Sequence, residues 1–203
     1  MRVLAILSIV IALALGAQLS DEAMENQQSI EMLEHIAPYV RGCDSGIMED
    51  CYLAGEEYSN GWNDVHWYPK AAYYYKMACD NEVFKACSKL GVLYQNGLGV
   101  KQNISVSVQL YKLACSMQEP DGCNNLGALS QEGKFVSRSY IDASKLYRRA
   151  CQHGSVAGCM NLASLYLKGK GVKKDKQAAL HLYEQSCYMG YLEACELYSK
   201  YYQ

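Results

Sequence analysis

Apolar side chains recur along the chain in short blocks at helical spacing. Leucine and tyrosine residues return every three or four positions over residues 87–94, and a second block of this kind runs over about 104–115. This spacing gathers the apolar side chains on one face of an α-helix. Gly97 supplies a helix stop between the two blocks. Because 159–168 and 176–187 repeat the pattern, the sequence predicts antiparallel helix pairs.

The cysteines set the period of these pairs. The ten cysteines form five pairs eight residues apart, each 36 residues after the last: Cys43 and Cys51, Cys79 and Cys87, Cys115 and Cys123, Cys151 and Cys159, Cys187 and Cys195. A tyrosine precedes the first cysteine of every pair by four residues: Tyr39, Tyr75, Tyr111, Tyr147 and Tyr183. A fixed period of this length is typical of a solenoid, whose units bury their apolar faces against their neighbours.

The spacing within each cysteine pair predicts its bonding. On one continuous helix, two positions eight apart would be separated by about 12 Å along the axis. A disulfide requires Cα atoms within about 7 Å, so the chain must reverse inside each pair. Helix breakers such as Gly46, Pro120, Gly154 and Gly190 lie in the intervening segments. We therefore predict that each cysteine bonds to the other member of its own pair and joins one helix pair to the next.

The N-terminus has the layout of a secretory signal peptide. A basic Arg2 precedes an apolar run over residues 3–15, and the small residues Gly16 and Ala17 follow. The run is shorter than the roughly 20 residues that span a membrane. An uncleaved N-terminal anchor is the alternative. We expect the mature protein to be secreted or periplasmic, where ten cysteines indicate disulfides.

The period divides the chain into successive segments. We assign residues 1–20 to the signal peptide and 21–43 to an N-terminal capping helix. Four repeats follow at 44–79, 80–115, 116–151 and 152–187, and 188–203 forms a C-terminal cap. A solenoid requires caps because its terminal units would otherwise expose apolar surface.

Composition narrows the function classes further. The chain has 19 basic and 21 acidic residues and a net charge of −2, which argues against a nucleic-acid-binding protein. Half of the residues are apolar, which excludes intrinsic disorder of the whole chain. A basic run is typical of a solvated loop: Lys168, Lys170, Lys173, Lys174 and Lys176.

One phrase of the sequence resembles a known repeat. Residues 86–115 contain three motifs in order: Ala-Cys, then Leu-Gly-x-x-Tyr-x-x-Gly-x-Gly-Val, then Tyr-x-x-Ala-Cys. This order of motifs is similar to the Sel-like repeat, a relative of the tetratricopeptide repeat. The paired cysteines narrow the resemblance to the Helicobacter cysteine-rich protein family. It implies an all-α fold, an α/α superhelical solenoid with one disulfide per repeat. It also implies export, penicillin binding and slow β-lactamase activity. The motif is broken at Asn63, Asp64 and Ser130.

No hydrolytic motif accompanies this resemblance. A serine β-lactamase needs a lysine one helical turn after its nucleophile, and the chain has neither Ser-x-x-Lys nor Ser-Asp-Asn. The chain contains no threonine, so Lys-Thr-Gly is impossible. No His-x-His or Cys-x-x-Cys spacing indicates zinc, since the four histidines are dispersed: His35, His66, His153 and His181. We expect neither a metal nor another cofactor, and the catalytic residues of any hydrolase activity remain unknown.

A binding surface is the competing hypothesis. In tetratricopeptide-like stacks the first helix of each unit lines the concave side. Asn125 and Asn161 occupy the same position of that helix in successive repeats, and Lys89 occupies it one repeat earlier. We call such a shared position within the repeat a phase. These side chains could form hydrogen bonds with a peptide backbone. An equal alternative is that the two asparagine amides are simply solvated or cap a helix. The expected partner is therefore a β-lactam or peptidoglycan-like small ligand, or an extended peptide or protein. We expect a monomer without nucleic-acid or membrane partners.

Overall fold

The computed structural model describes residues 33–61, 66–133 and 136–202. Over these residues the chain forms ten helices and no strand. The described part of α1 covers 33–44. The following helices are α2 (Met48–Asn60), α3 (Tyr68–Asp80), α4 (Phe84–Asn96), α5 (Ile104–Ser116), α6 (Pro120–Glu132), α7 (Tyr140–Gln152), α8 (Val156–Lys168), α9 (Lys176–Tyr188) and α10 (Leu192–Tyr202). The predicted signal peptide and the first part of the predicted capping helix lie outside the described residues.

The helices pack in sequence order as a stack of hairpins. Each of α3 to α9 packs most extensively against the helices that precede and follow it, α2 packs on α3, and α10 packs on α9. The even-numbered helices α2, α4, α6 and α8 also contact one another in turn, whereas the odd-numbered helices α3 to α9 make no comparable contacts. The even-numbered helices therefore form the inner side of a superhelix. The all-α solenoid predicted from the sequence is confirmed.

One disulfide closes the turn between successive hairpins. The bonded pairs are Cys43–Cys51, Cys79–Cys87, Cys115–Cys123, Cys151–Cys159 and Cys187–Cys195, with Cα–Cα distances of 4.5 to 4.8 Å. Each helix that follows a bridge begins three residues before its cysteine, as α4 does at Phe84 before Cys87. These are the pairings that the spacing predicts, with one disulfide per repeat. They line one edge of the stack, and the loops between the helices of each hairpin line the other.

Tyrosines provide the largest core side chains. Tyr75, Tyr111 and Tyr147 are each 1% exposed, and they lie among alanines and leucines of the adjacent helices. Burial raises the pKa of Tyr111 and Tyr147 to about 12, because the phenolate would be poorly solvated there. The hydroxyl of Tyr111 reaches the inner edge of the core, where it donates to Gln95 Oε1 at 3.0 Å. The periodic tyrosines are thus amphipathic core residues.

None of the helices in the described ranges is long and apolar enough to cross a membrane.

Candidate functional site

The inner side of the superhelix brings the predicted binding residues onto one surface. Lys89 lies on α4, Asn125 on α6 and Asn161 on α8, and all three are partly buried. They share this face because one repeat returns each position to the same orientation on the next inner helix. We refer to the surface formed by α2, α4, α6, α8 and α10 as the inner surface.

Two of the predicted residues belong to a chain of amides. Asn161 Nδ2 donates to Asn124 Oδ1 at 2.9 Å, and Asn124 Nδ2 donates to Asn125 Oδ1 at 3.5 Å. Asn124 links α6 to α8. The repeat pattern does not indicate this residue, because its counterparts Ser88 and Met160 are not amides. The sequence feature that could have indicated Asn124 is its position directly before Asn125.

The structure places Lys89 in a different setting from the asparagines. Its Nζ donates to Glu56 Oε2 on α2 at 2.9 Å, so a carboxylate compensates its charge. Glu56 also accepts a hydrogen bond of 2.5 Å from the hydroxyl of Tyr75. Burial raises the pKa of Tyr75, and the hydrogen bond to Glu56 raises it further. Lys89 is therefore part of an ionic network between the first two inner helices.

The same network extends towards the disulfide edge. Lys85 pairs with Glu49, and its ammonium lies 4.2 Å from the ring centroid of Tyr52. Glu119 is partly buried near these lysines, and burial raises the pKa of its carboxyl group. Its partial desolvation outweighs the opposing effect of Lys85 and Lys89. The inner surface thus changes along the stack from charged groups on α2 and α4 to neutral amides on α6 and α8.

A cleft of about 430 Å³ lies beside the amide chain, between α8 and α10. Its lining residues are Met160, Asn161, Ser164, Leu167, Lys168, Tyr183, Glu193, Leu197 and Tyr201. The rings of Tyr183 and Tyr201 stack with centroids 6.3 Å apart and contribute to its wall. Lys168 and Glu193 contribute one charge of each sign. The cleft is large enough for an apolar side chain next to an amide that can bind backbone.

The described residues do not bring a hydrolytic constellation together. They contain no group of three or more His, Cys, Asp or Glu side chains that could hold a metal ion. All ten cysteines are in disulfides. His66 contacts the carbonyl oxygen of Ser59 at 2.9 Å, and His35 lies 3.3 Å from the Glu57 carboxylate. The catalytic residues that the resemblance would require are not identified among the described residues.

The family model of the Sel1 repeat matches the chain four times, over residues 49–83, 84–118, 120–155 and 156–191. Together these matches cover more than half of the sequence. The chain matches no curated protein at a significant level.

Solved structures resemble the chain over most of its length. A Sel1 repeat protein from Oxalobacter formigenes is 24% identical with a TM-score of 0.73, over 81% of this chain and 66% of its own. A protective antigen of uropathogenic Escherichia coli with an SLR fold is 27% identical with a TM-score of 0.69, over 91% of this chain and 43% of its own. Helicobacter pylori cysteine rich protein B is 32% identical with a TM-score of 0.52, over 63% of this chain and 92% of its own. The chain thus spans less than two thirds of the first two proteins.

Proposed function

The chain belongs to the Sel1 repeat family, and from this premise we propose that it is an exported scaffold that binds an extended peptide along its inner surface. The proposal gives the ligand-contacting role to Asn125 and Asn161, with Asn124 holding them in register. Lys89 contributes from the neighbouring inner helix α4, within its ionic network.

The amide chain between α6 and α8 is the observation that carries this proposal. A carboxamide offers both a donor and an acceptor, as a peptide group does, and so it can bind an extended backbone of any sequence. Each amide in the chain retains hydrogen-bonding capacity beyond the bonds to its neighbours. Because Asn161 is already held by Asn124 at 2.9 Å, its binding to a peptide would cost little rotamer entropy.

The cleft next to Asn161 would supply selectivity. Apolar walls from Met160, Leu197 and the stacked pair Tyr183 and Tyr201 suit one apolar side chain of the bound peptide. A backbone held by the amides and a side chain held in a pocket form a common mode of peptide recognition.

Export is part of the proposal for a physical reason. Five disulfides persist in an oxidising compartment, whereas cytosolic thiols are kept reduced. The apolar run over residues 3–15 would direct the chain to such a compartment, either the periplasm or the exterior.

The resemblance to the cysteine-rich family also implies a β-lactamase. No feature of the described residues favours this activity over binding, since no nucleophile and base are paired on the inner surface. A chromogenic cephalosporin assay on the purified, oxidised protein tests it separately. Turnover that persists in the presence of a chelator and accompanies the folded protein would support the hydrolase.

Peptide binding is tested with a random-sequence pool of short fluorescein-labelled peptides. Peptides retained by the wild-type protein are measured individually by fluorescence polarisation against the double variant Asn125→Ala, Asn161→Ala. We expect the affinity to fall by about tenfold or more, as for the loss of one or two hydrogen bonds to a buried backbone.

A matched control is Asn81→Ala, because Asn81 lies at the disulfide edge and donates to the carbonyl oxygen of Met77. Its affinities should equal those of the wild type. Equal losses in both variants, or retained binding in the double variant, would contradict the role of the inner amides.

A further inference from the structure

A second groove lies on the outer side of the superhelix, between α7 and α9. It has a volume of about 450 Å³, and its floor includes Leu162, Leu182 and Ala178. Arg148 and His181 lie at its rim, and Tyr166 from α8 closes it from below. The groove does not include any of the inner amides. Its lining combines exposed polar side chains with apolar ones, as recognition sites commonly do.

Arg148 is fixed over this groove. Its Nη2 donates to the hydroxyl oxygen of Tyr166 at 2.9 Å, and its guanidinium carbon lies 6.0 Å from the ring centroid of the same residue. Among the described residues no carboxylate forms an ion pair with Arg148. The side chain is therefore oriented by a neutral partner, while its charge stays available at the groove.

Comparison with an earlier repeat shows that the α7 unit lacks a carboxylate beside its cation. Two units earlier, Lys76 occupies the position of Arg148, and it forms an ion pair of 2.5 Å with Asp80 one turn later. In the α7 unit the position of Asp80 is taken by the neutral Gln152. The cation is thus retained at the outer groove and its internal carboxylate is lost.

The corresponding groove between α5 and α7 is bridged. There Arg149 reaches from α7 to the carbonyl oxygen of Ser116 on α5, at 3.1 Å. The residue at the position of Arg149 in the next unit is Gln185, which lines the α7–α9 groove without such a bond. The groove beside Arg148 consequently remains open.

A basic loop follows α8, the helix that contributes Leu162 and Tyr166 to the groove. The loop between α8 and α9 contains Lys170, Lys173 and Lys174, and the amide of Asp175 donates to the carbonyl oxygen of Tyr166 at 3.0 Å. Residues 138–176 carry nine Lys and Arg against two Asp, although the whole chain has a net charge of −2. Positive charge is thus concentrated in this stretch of the chain and does not reflect the composition of the whole protein.

From this arrangement we propose that the outer groove between α7 and α9 binds an acidic peptide segment of a partner protein. A carboxylate of the segment pairs with Arg148, in place of the internal Asp80 seen two units earlier. An adjacent apolar side chain contacts Leu162 and Leu182, and further acidic residues face the lysines of the α8–α9 loop. This site is independent of the proposed inner peptide surface.

The groove is better suited to an acidic peptide than to other negatively charged ligands. A sulfated glycan or a phosphate backbone would satisfy the cations but has no aliphatic group for the floor. A flat layer of anionic lipid headgroups would contact the loop lysines without entering the groove. A segment that alternates acidic and apolar residues satisfies both parts at once.

The test uses an array of short peptides in which one leucine is flanked by glutamates, together with versions carrying glutamine for glutamate or glycine for leucine. The full oxidised protein is compared with Arg148→Gln and Gln152→Asp. The second variant restores the internal carboxylate that Lys76 has. We expect each variant to weaken binding of the acidic leucine peptides by about tenfold, as for one charge-assisted hydrogen bond.

The matched control is Lys112→Gln, which removes the same charge at the same position of the preceding unit. This variant should bind the acidic leucine peptides as tightly as the wild type does. The double variant Asn125→Ala, Asn161→Ala should also bind them normally, so a defect at the inner site can be told from a defect at the outer site. The proposal is overturned if the wild type binds glutamine or glycine versions equally well, or if the control loses as much as Arg148→Gln. It is also overturned if heparin oligosaccharides or phosphatidylserine vesicles bind and the acidic peptides do not.

Discussion

The ring of Tyr111 on α5 lies directly against the backbone of Gly91 on α4. A Cβ atom added at Gly91 would be 2.6 Å from Cε1 of this ring, closer than carbon atoms can approach. Gly127 and Tyr147 repeat the relationship in the next unit, at 2.8 Å. The absence of a side chain at this position lets the two helices of a hairpin enclose a buried tyrosine.

This contact makes Gly91→Ala destabilising, although alanine is the better helix former. We expect the free energy of unfolding to fall by about 1–2 kcal/mol, because overpacking of the buried ring exceeds the gain in helix propensity. Urea denaturation of the oxidised protein measures the change. The last unit has Ala163 at this position, packed in the same cluster as Tyr183. Ala163→Gly should therefore not stabilise, and a stabilised Gly91→Ala would contradict the packing argument.

The buried tyrosines make stability depend on alkaline pH. Tyr111 and Tyr147 have a pKa of about 12 in the folded chain, against about 10 when unfolded. The unfolded chain therefore loses these protons first, and stability decreases as pH rises from about 10 to about 12. Urea midpoints over this range should fall more steeply for the wild type than for Tyr111→Phe. Equal slopes would contradict the role of Tyr111.

The absorbance of tyrosinate provides an independent check. In the folded protein the buried Tyr111 and Tyr147 should ionise only at higher pH than they do in the unfolded chain. In concentrated denaturant all eighteen tyrosines should ionise in one step.

A buried hydroxyl offers a site for stabilisation. Ser88 is 1% exposed, and its Oγ has no hydrogen-bond partner among the described residues. Ser88→Ala should raise the free energy of unfolding by about 1 kcal/mol, because an unsatisfied polar group is removed and helix propensity improves. The control is Ser186→Ala, since Ser186 is equally buried but donates to the carbonyl oxygen of Leu182 at 2.8 Å. A similar gain in both variants would show that helix propensity alone accounts for the effect.

The two partners of the Glu56–Lys89 pair should differ in their effect on stability. Glu56 accepts from both Lys89 and the hydroxyl of Tyr75, whereas the side chain of Lys89 is 40% exposed. Lys89→Met should cost less than about 1 kcal/mol, as exposed ion pairs do. Glu56→Gln should cost about 1.5–3 kcal/mol, because Tyr75 loses a charged acceptor. Chemical denaturation of the single and double variants measures both values, and equal costs would contradict this assignment.

Burial predicts the order in which the disulfides are reduced. Cys51, Cys87 and Cys123 are 0% exposed, whereas both Cys187 and Cys195 are only partly buried. We expect dithiothreitol to open Cys187–Cys195 first in the native protein. Timed alkylation followed by peptide mapping identifies the first free thiols. Initial reduction of a bridge near the middle of the stack would indicate that units open there before they fray at the end.

The residues proposed to bind a ligand show how much a repeat pattern can predict. Asn125 and Asn161 can be selected because they share a phase, and the structure places both in one amide chain. Lys89 shares the same phase, yet its contact is with Glu56. The phase specifies which helix face a residue occupies, but the neighbouring side chains differ from unit to unit.

The sequence by itself determined the helix pairs, their period and the disulfide pairing. These features depend on short stretches of chain, since eight residues with a breaker allow only a reversed turn that brings two cysteines together. The tertiary structure alone decided that Asn124 joins α6 to α8, that Glu56 compensates Lys89, and that the groove beside Arg148 is open. Each depends on how one hairpin is rotated against the next, which is set by packing between side chains 18 to 37 residues apart.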